Sequence, residues 1–206
     1  ETALPGFPPR GAPRRAIARP SAAGCTDQQT KKRKEGNGMV TQELHKNWTL
    51  EIPGRGGRLP ARVPGSVYAD LLAAGEIDDP YWRDNELRAL AWMENDFLYE
   101  TAFVPEEGML ACKSVVLRFE GIDTLGEVTL NGVPLGKVEN MHRTWEFEVR
   151  HLLREGGNAL RVKLFSPTRY IREHHDPQKA GGSADAMRGF PSLRKAHCMF
   201  GWDWGP

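Results

Sequence analysis

Near its C-terminal end the sequence runs "FGWDWGP" (200–206), placing Trp202 and Trp204 on either side of a single carboxylate, Asp203. On an extended strand successive side chains alternate, so the two indoles share one side and Asp203 faces the other. In an irregular or bulged segment all three can reach one pocket. An indole face packs well on the C–H face of a pyranose, and a carboxylate accepts hydrogen bonds from two neighbouring hydroxyls. These residue types suit a sugar; the structural alternative is a buried Trp pair around a satisfied Asp.

Other candidates for chemistry are weaker. His174, His175 and Asp176 are adjacent, and His197 and Cys198 follow later. Neighbouring histidines on a strand point to opposite faces and zinc-type ligand spacings are absent, so no metal site is expected. There is no G-x-S-x-G, and neither Cys112 beside Lys113 nor Cys198 beside His197 lies in a catalytic cysteine motif. The acid pairs Asp78-Asp79 and Glu106-Glu107 sit in turn-like surroundings. They read as solvated turn residues, because an acid and a base need distinct environments to separate their pKa values. "GRGG" (54–57) neither follows a clear strand nor opens a helix, so no phosphate loop and no cofactor is expected. The lone N-x-T at Asn47 carries little weight without an export signal. No complete catalytic set is present.

The elements that must position Trp202, Asp203 and Trp204 read mainly as short strands. "NWTLEI" alternates around Trp48 and Leu50, and "FLYETAFV" (97–104) and "SVVLRFEGI" (114–122) follow the same rule. "EVTLNGVPLGKV" (127–138) carries Asn131-Gly132, a two-residue hairpin signal. "TWEFEVRHLL" (144–153) and "GGNALRVKLFSP" (156–167) alternate again. Trp48, Trp92 and Trp145 read as core. One helix is expected, "SVYADLLAAG", with Ser66 as N-cap and Gly75 as the stop. "DPYWRDNE" (79–86) reads as an aromatic-laced loop, and 168–196 loses all periodicity. Evenly spaced strands with little helix predict an all-β, antiparallel β-sandwich. Because "CMFGWDWGP" resembles a strand entering a sheet with nothing after it, the sandwich is expected to be truncated before its last strands.

Residues 1–38 differ in kind. They hold five Pro, five Gly and a net charge of +5, leaving −4 for residues 39–206. Such a composition cannot bury enough apolar surface to offset chain entropy, so a disordered tail is expected, with the folded domain at 39–206. "KKRK" (31–34) suits either a solvated linker or a nucleic-acid patch; the mildly acidic remainder argues against a nucleic-acid partner. The chain opens on Glu1 and Met39 directly precedes the first patterned segment, so Met39 is the expected natural start. Three scattered cysteines, no secretory signal and no apolar run of membrane-spanning length point to a cytoplasmic protein without a membrane partner.

Three blocks, in order, carry a resemblance. "ARVPGSVYADLLAAGEIDDPYWRDNE" holds a V-P-G-[ST]-V motif, a short helix and a D-P-[YF] loop ending in [DN]-N-E. "LRFEGIDTLGEVTLNGVPLGKVENMHRTWEFEV" holds F-x-G-[LI]-D-T followed by L-N-G, and "RKAHCMFGWDWGP" holds R-K-A and G-W-D-W-G-P. Over about residues 43–206 the chain resembles the N-terminal domain of the β-mannosidases of glycoside hydrolase family two. The resemblance implies a jelly-roll, sugar-binding domain that packs on immunoglobulin-like domains and a (β/α)₈ barrel. It implies retaining hydrolysis of terminal β-D-mannose from oligosaccharides, with both catalytic glutamates in the barrel and none in this chain. It further implies that Asp203 binds sugar hydroxyls while Trp202 and Trp204 wall the subsite. A related clan member (β-galactosidase, β-glucuronidase, exo-glucosaminidase or endo-β-mannosidase) and a stand-alone carbohydrate-binding module are the competing readings.

Overall fold

The computed structural model describes residues 40–179 and 189–200. The expected tail, 1–38, lies outside them.

The alternating segments form strands close to where their patterns place them. In chain order they are β1 (Trp48–Glu51), β2 (Leu59–Ala61), β3 (Phe97–Phe103), β4 (Val116–Phe119), β5 (Gly126–Leu130), β6 (Val133–Val138), β7 (Trp145–Glu148) and β8 (Asn158–Leu164). Six pair as one antiparallel sheet in the order β2-β1-β3-β8-β5-β6, and β4 pairs with β7 in a second. Leu50, Val128, Leu130 and Leu160 are fully buried, and Leu117, Phe119, Trp145 and Phe147 from the small sheet pack on the core they join. The result is an antiparallel β-sandwich.

Trp48 lies in this core, edge-to-face with Tyr99 at 6.5 Å between ring centroids. Trp92 and Trp145 are partly buried against it. The β5–β6 hairpin turns on Asn131 (φ 53) and Gly132 (φ 83), the double positive φ that a two-residue turn of this hand requires. Asn131 also serves the core side of the turn. Its amide donates to Leu152 O at 2.8 Å and to Asn158 Oδ1 at 2.9 Å, and its Oδ1 accepts from the Ala159 N–H at 2.9 Å.

Helix α1 (Val67–Ala73) forms where expected: Ser66 Oγ accepts from the Ala69 N–H at 3.2 Å, and Gly75 follows at φ 74. The expectation of one helix is corrected by two more, α2 (Asn85–Trp92) and α3 (Pro167–His174). Neither presents a buried apolar stripe. On α2 only Asn85 and Ala89 are buried, and on α3 only Thr168 and Ile171, so each is a helix of eight residues with few core contacts, too short to stand out as an amphipathic run. For α3 the signal lies in its start instead: Ser166 caps the Arg169 N–H at 3.0 Å and Pro167 occupies the first turn.

The ionisable groups of the frame set its pH window. Burial pushes the Tyr68 phenol from 10.0 up to about 12. A tyrosine so raised keeps its proton in the folded chain after the unfolded chain has released it. Its contribution is therefore complete below pH 10 and is lost as pH climbs toward about 12. The melting temperature is expected to fall over that interval, and less steeply in Tyr68→Phe; parallel curves for the two proteins would contradict this. On the acid side, burial pushes Asp96 up, but the Ser166 N–H, Lys163 and Arg169 together outweigh it and hold the carboxyl below its usual value. That contribution is present above the ordinary carboxylate range and lost as pH falls beneath it.

Candidate sugar-binding site

Strand pairing gathers several connections at one end of the sandwich. Gly126 at the start of β5 faces Val138 at the end of β6, and also Leu164 at the end of β8. Phe97 opens β3 opposite the same Leu164, and Phe119 closes β4 opposite Trp145. The β4–β5 turn, the β6–β7 turn, α2 and α3 therefore share this end, and residues 189–200 cross it.

The crossing segment is held at several points. Asn140 and Arg194 form a parallel bridge, the Met141 N–H donates to Arg194 O at 3.0 Å, and the Ala196 N–H donates to Met141 Sδ at 3.0 Å. Trp145 steadies the same turn through Nε1–H to Asn140 O at 3.2 Å, with the Arg143 guanidinium 4.7 Å above its ring. Lys195 Nζ reaches Asp123 Oδ2 in the β4–β5 turn, and Thr124 Oγ donates to the other Asp123 oxygen. The two neighbours of Asp123, Ile122 and Thr124, are buried, which fixes where this carboxylate stands. At the start of the segment Gly189 (φ 90) lies against α3, where an added Cβ would come 2.4 Å from Ile171 Cγ2. Phe190 then meets His197 edge-to-face at 4.7 Å and Phe200 at 5.8 Å, closing the segment on itself around the short 3-10 turn His197–Met199.

The sequence-predicted site residues stand as follows. Trp202, Asp203 and Trp204 lie outside the described residues, immediately beyond Phe200. The two adjacent histidines part company: His174 stacks on Tyr170 at 4.1 Å, whereas His175 Nδ1 is 3.2 Å from Ser192 Oγ. Among the described residues no group of three or more His, Cys, Asp and Glu is placed to hold a metal ion, and no helix is long and apolar enough to cross a membrane. Cys112 and Cys198 are both free. Asp79 builds a turn, its carboxylate accepting from the Tyr81 N–H at 3.0 Å and its carbonyl from Asn85 Nδ2 at 3.0 Å. Glu106 and Glu107 are exposed.

Sequence reasoning missed the contacts that anchor residues 189–200. Asp123 lies in the F-x-G-I-D-T block and Lys195 in the R-K-A block, but 72 residues separate them and no local pattern links the two. The motif blocks themselves were the available signal.

The described residues thus define an antiparallel β-sandwich with residues 189–200 anchored across one end. The chain belongs to the glycosyl hydrolase 2 galactose-binding domain-like family, whose profile matches residues 40–206. It is 34% identical over 177 residues to the β-mannosidase of Capra hircus, covering 82% of this chain and 20% of that protein. To β-mannosidase A of Emericella nidulans it is 32% identical over 178 residues, covering 83% of this chain and 19% of that one. The crystal structure of a β-D-mannosidase from Dictyoglomus thermophilum superimposes with a TM-score of 0.75 at 38% identity, over 82% of this chain and 21% of that one. The chain thus spans about a fifth of the length of the relatives it matches.

Proposed function

We propose that this domain serves an exo-acting, retaining β-mannosidase that removes terminal β-D-mannose from oligosaccharides, and that it contributes one wall of the mannose subsite. Asp203 accepts hydrogen bonds from sugar hydroxyls, and Trp202 and Trp204 flank the ring. The general acid/base and the nucleophile, two carboxyls about 5–5.5 Å apart in retaining enzymes, lie elsewhere in the polypeptide. The 206 residues alone are inactive on this reading.

The observation that carries it is a family match running through residue 206, and so through G-W-D-W-G-P, together with similarity to β-mannosidases at 30% identity or more. A second feature supports a larger polypeptide. Tyr81, Trp82, Leu87 and Leu90, on and just before α2, are exposed large apolar side chains at the end of the sandwich that holds the anchored segment. On this reading the remaining domains of the same polypeptide cover them.

The complete polypeptide, assayed against aryl β-D-mannoside, β-D-galactoside, β-D-glucuronide and β-D-glucosaminide, is expected to prefer the mannoside and to release β-mannose first, as retention requires. Preference for another sugar would move the domain to a related clan member. Mannose binding by the 206-residue chain with no hydrolysis by the complete polypeptide would favour a binding module.

A further inference from the structure

Among the described lysines Lys195 is unusual in that its side chain is only 17% exposed, and it is committed in two directions. Its ammonium contacts Asp123 in the β4–β5 turn and stands 5.9 Å from the Phe200 ring centroid, five residues further along its own segment. Backbone bonds from Asn140 and Met141 hold the segment at Arg194, on the neighbouring turn. One attachment point leaves a chain free to pivot; a second, on a different turn, removes that freedom. Phe200 is the last residue before Gly201 and Trp202.

We propose that the Lys195–Asp123 ion pair is a positioning device for Trp202, Asp203 and Trp204, fixing the segment that leads into them while neither residue touches the sugar. This rests on the reading that those three residues bind the sugar. Removing one partner of so buried a pair also costs stability, so rate and not stability identifies a positioning role: displacing a binding group by about 1 Å can cost about 100-fold in rate. The second oxygen of Asp123 is taken by Thr124, so the carboxylate is oriented before Lys195 arrives.

The test uses the complete polypeptide and an aryl β-mannoside. Lys195→Met and Asp123→Asn are each expected to lower kcat/KM by about 10- to 100-fold in the folded protein, and their combination to cost no more than either alone. Lys195→Arg, which keeps the charge, is expected to recover most of the loss. In an Asp203→Ala background the Lys195→Met effect is expected to shrink to less than about threefold, because the group being positioned is gone. Retention of kcat/KM within about twofold in both single variants would overturn the proposal, as would an undiminished Lys195→Met effect in the Asp203→Ala background. Should Lys195→Met not fold, a positioning role for the pair is overturned in favour of a structural one unless the near-isosteric Asp123→Asn folds and shows the coupled loss. Failure of the underlying reading looks different: Asp203→Ala itself would leave kcat/KM unchanged.

Discussion

Asp203→Ala is expected to lower kcat/KM on an aryl β-mannoside by about 2–4 kcal/mol, a factor of roughly 30 to 1,000. A carboxylate that accepts hydrogen bonds from sugar hydroxyls makes charge-assisted bonds, stronger than neutral ones and costly to lose in a site from which water is excluded. Binding that tightens as the ring distorts toward the transition state appears in kcat as well as in KM. Asp203→Asn keeps one acceptor oxygen but loses the charge, so its loss is expected to be smaller. The check is a comparison of kcat/KM for the parent and both variants of the complete polypeptide. Equal values for all three would remove Asp203 from the site.

The largest expected effect on stability lies at Asp70. This residue sits on α1 at 5% exposure. Its Oδ1 accepts from the Arg62 N–H at 3.0 Å, on the segment that follows β2, and its Oδ2 from the Tyr99 hydroxyl at 2.8 Å, on β3. One carboxylate thus ties the helix to two other parts of the frame. Burial first, and then Asp70, hold the Tyr99 phenol well above its ordinary pKa, so it remains a donor throughout the useful pH range. Asp70→Ala leaves both donors without a partner next to the core, at about 1–3 kcal/mol each, and a loss of about 2–4 kcal/mol in unfolding free energy is expected. Asp70→Asn can still accept from Arg62 through its oxygen and donate to the Tyr99 hydroxyl through its amide, so about 1 kcal/mol is expected there. Urea denaturation decides: the midpoint should fall in the order parent, Asn, Ala with an unchanged slope. An alanine variant as stable as the parent would show that Asp70 does not hold the frame.

The sequence by itself determined the strands other than β2, the β5–β6 hairpin and helix α1, because each is written in neighbouring residues. Trp48 and Leu50 alternate with polar partners, Asn131-Gly132 tolerates two positive φ values, and Ser66 and Gly75 bracket their helix. It also determined the family, since the three motif blocks keep their order along the chain. Helices α2 and α3 were less legible because each is only eight residues long and buries only two side chains. Only the tertiary structure decided which turns meet. The order β3-β8-β5 brings together strands far apart in the chain, and with them the ends that carry Asp123, Met141 and Lys195. An ion pair across 72 residues and a carboxylate–phenol bond across 29 leave no periodic trace. Their partners are chosen by the pairing of the sheet rather than by their neighbours in sequence, and so the indoles and the acid were visible as residue types while the contacts that anchor residues 189–200 were not.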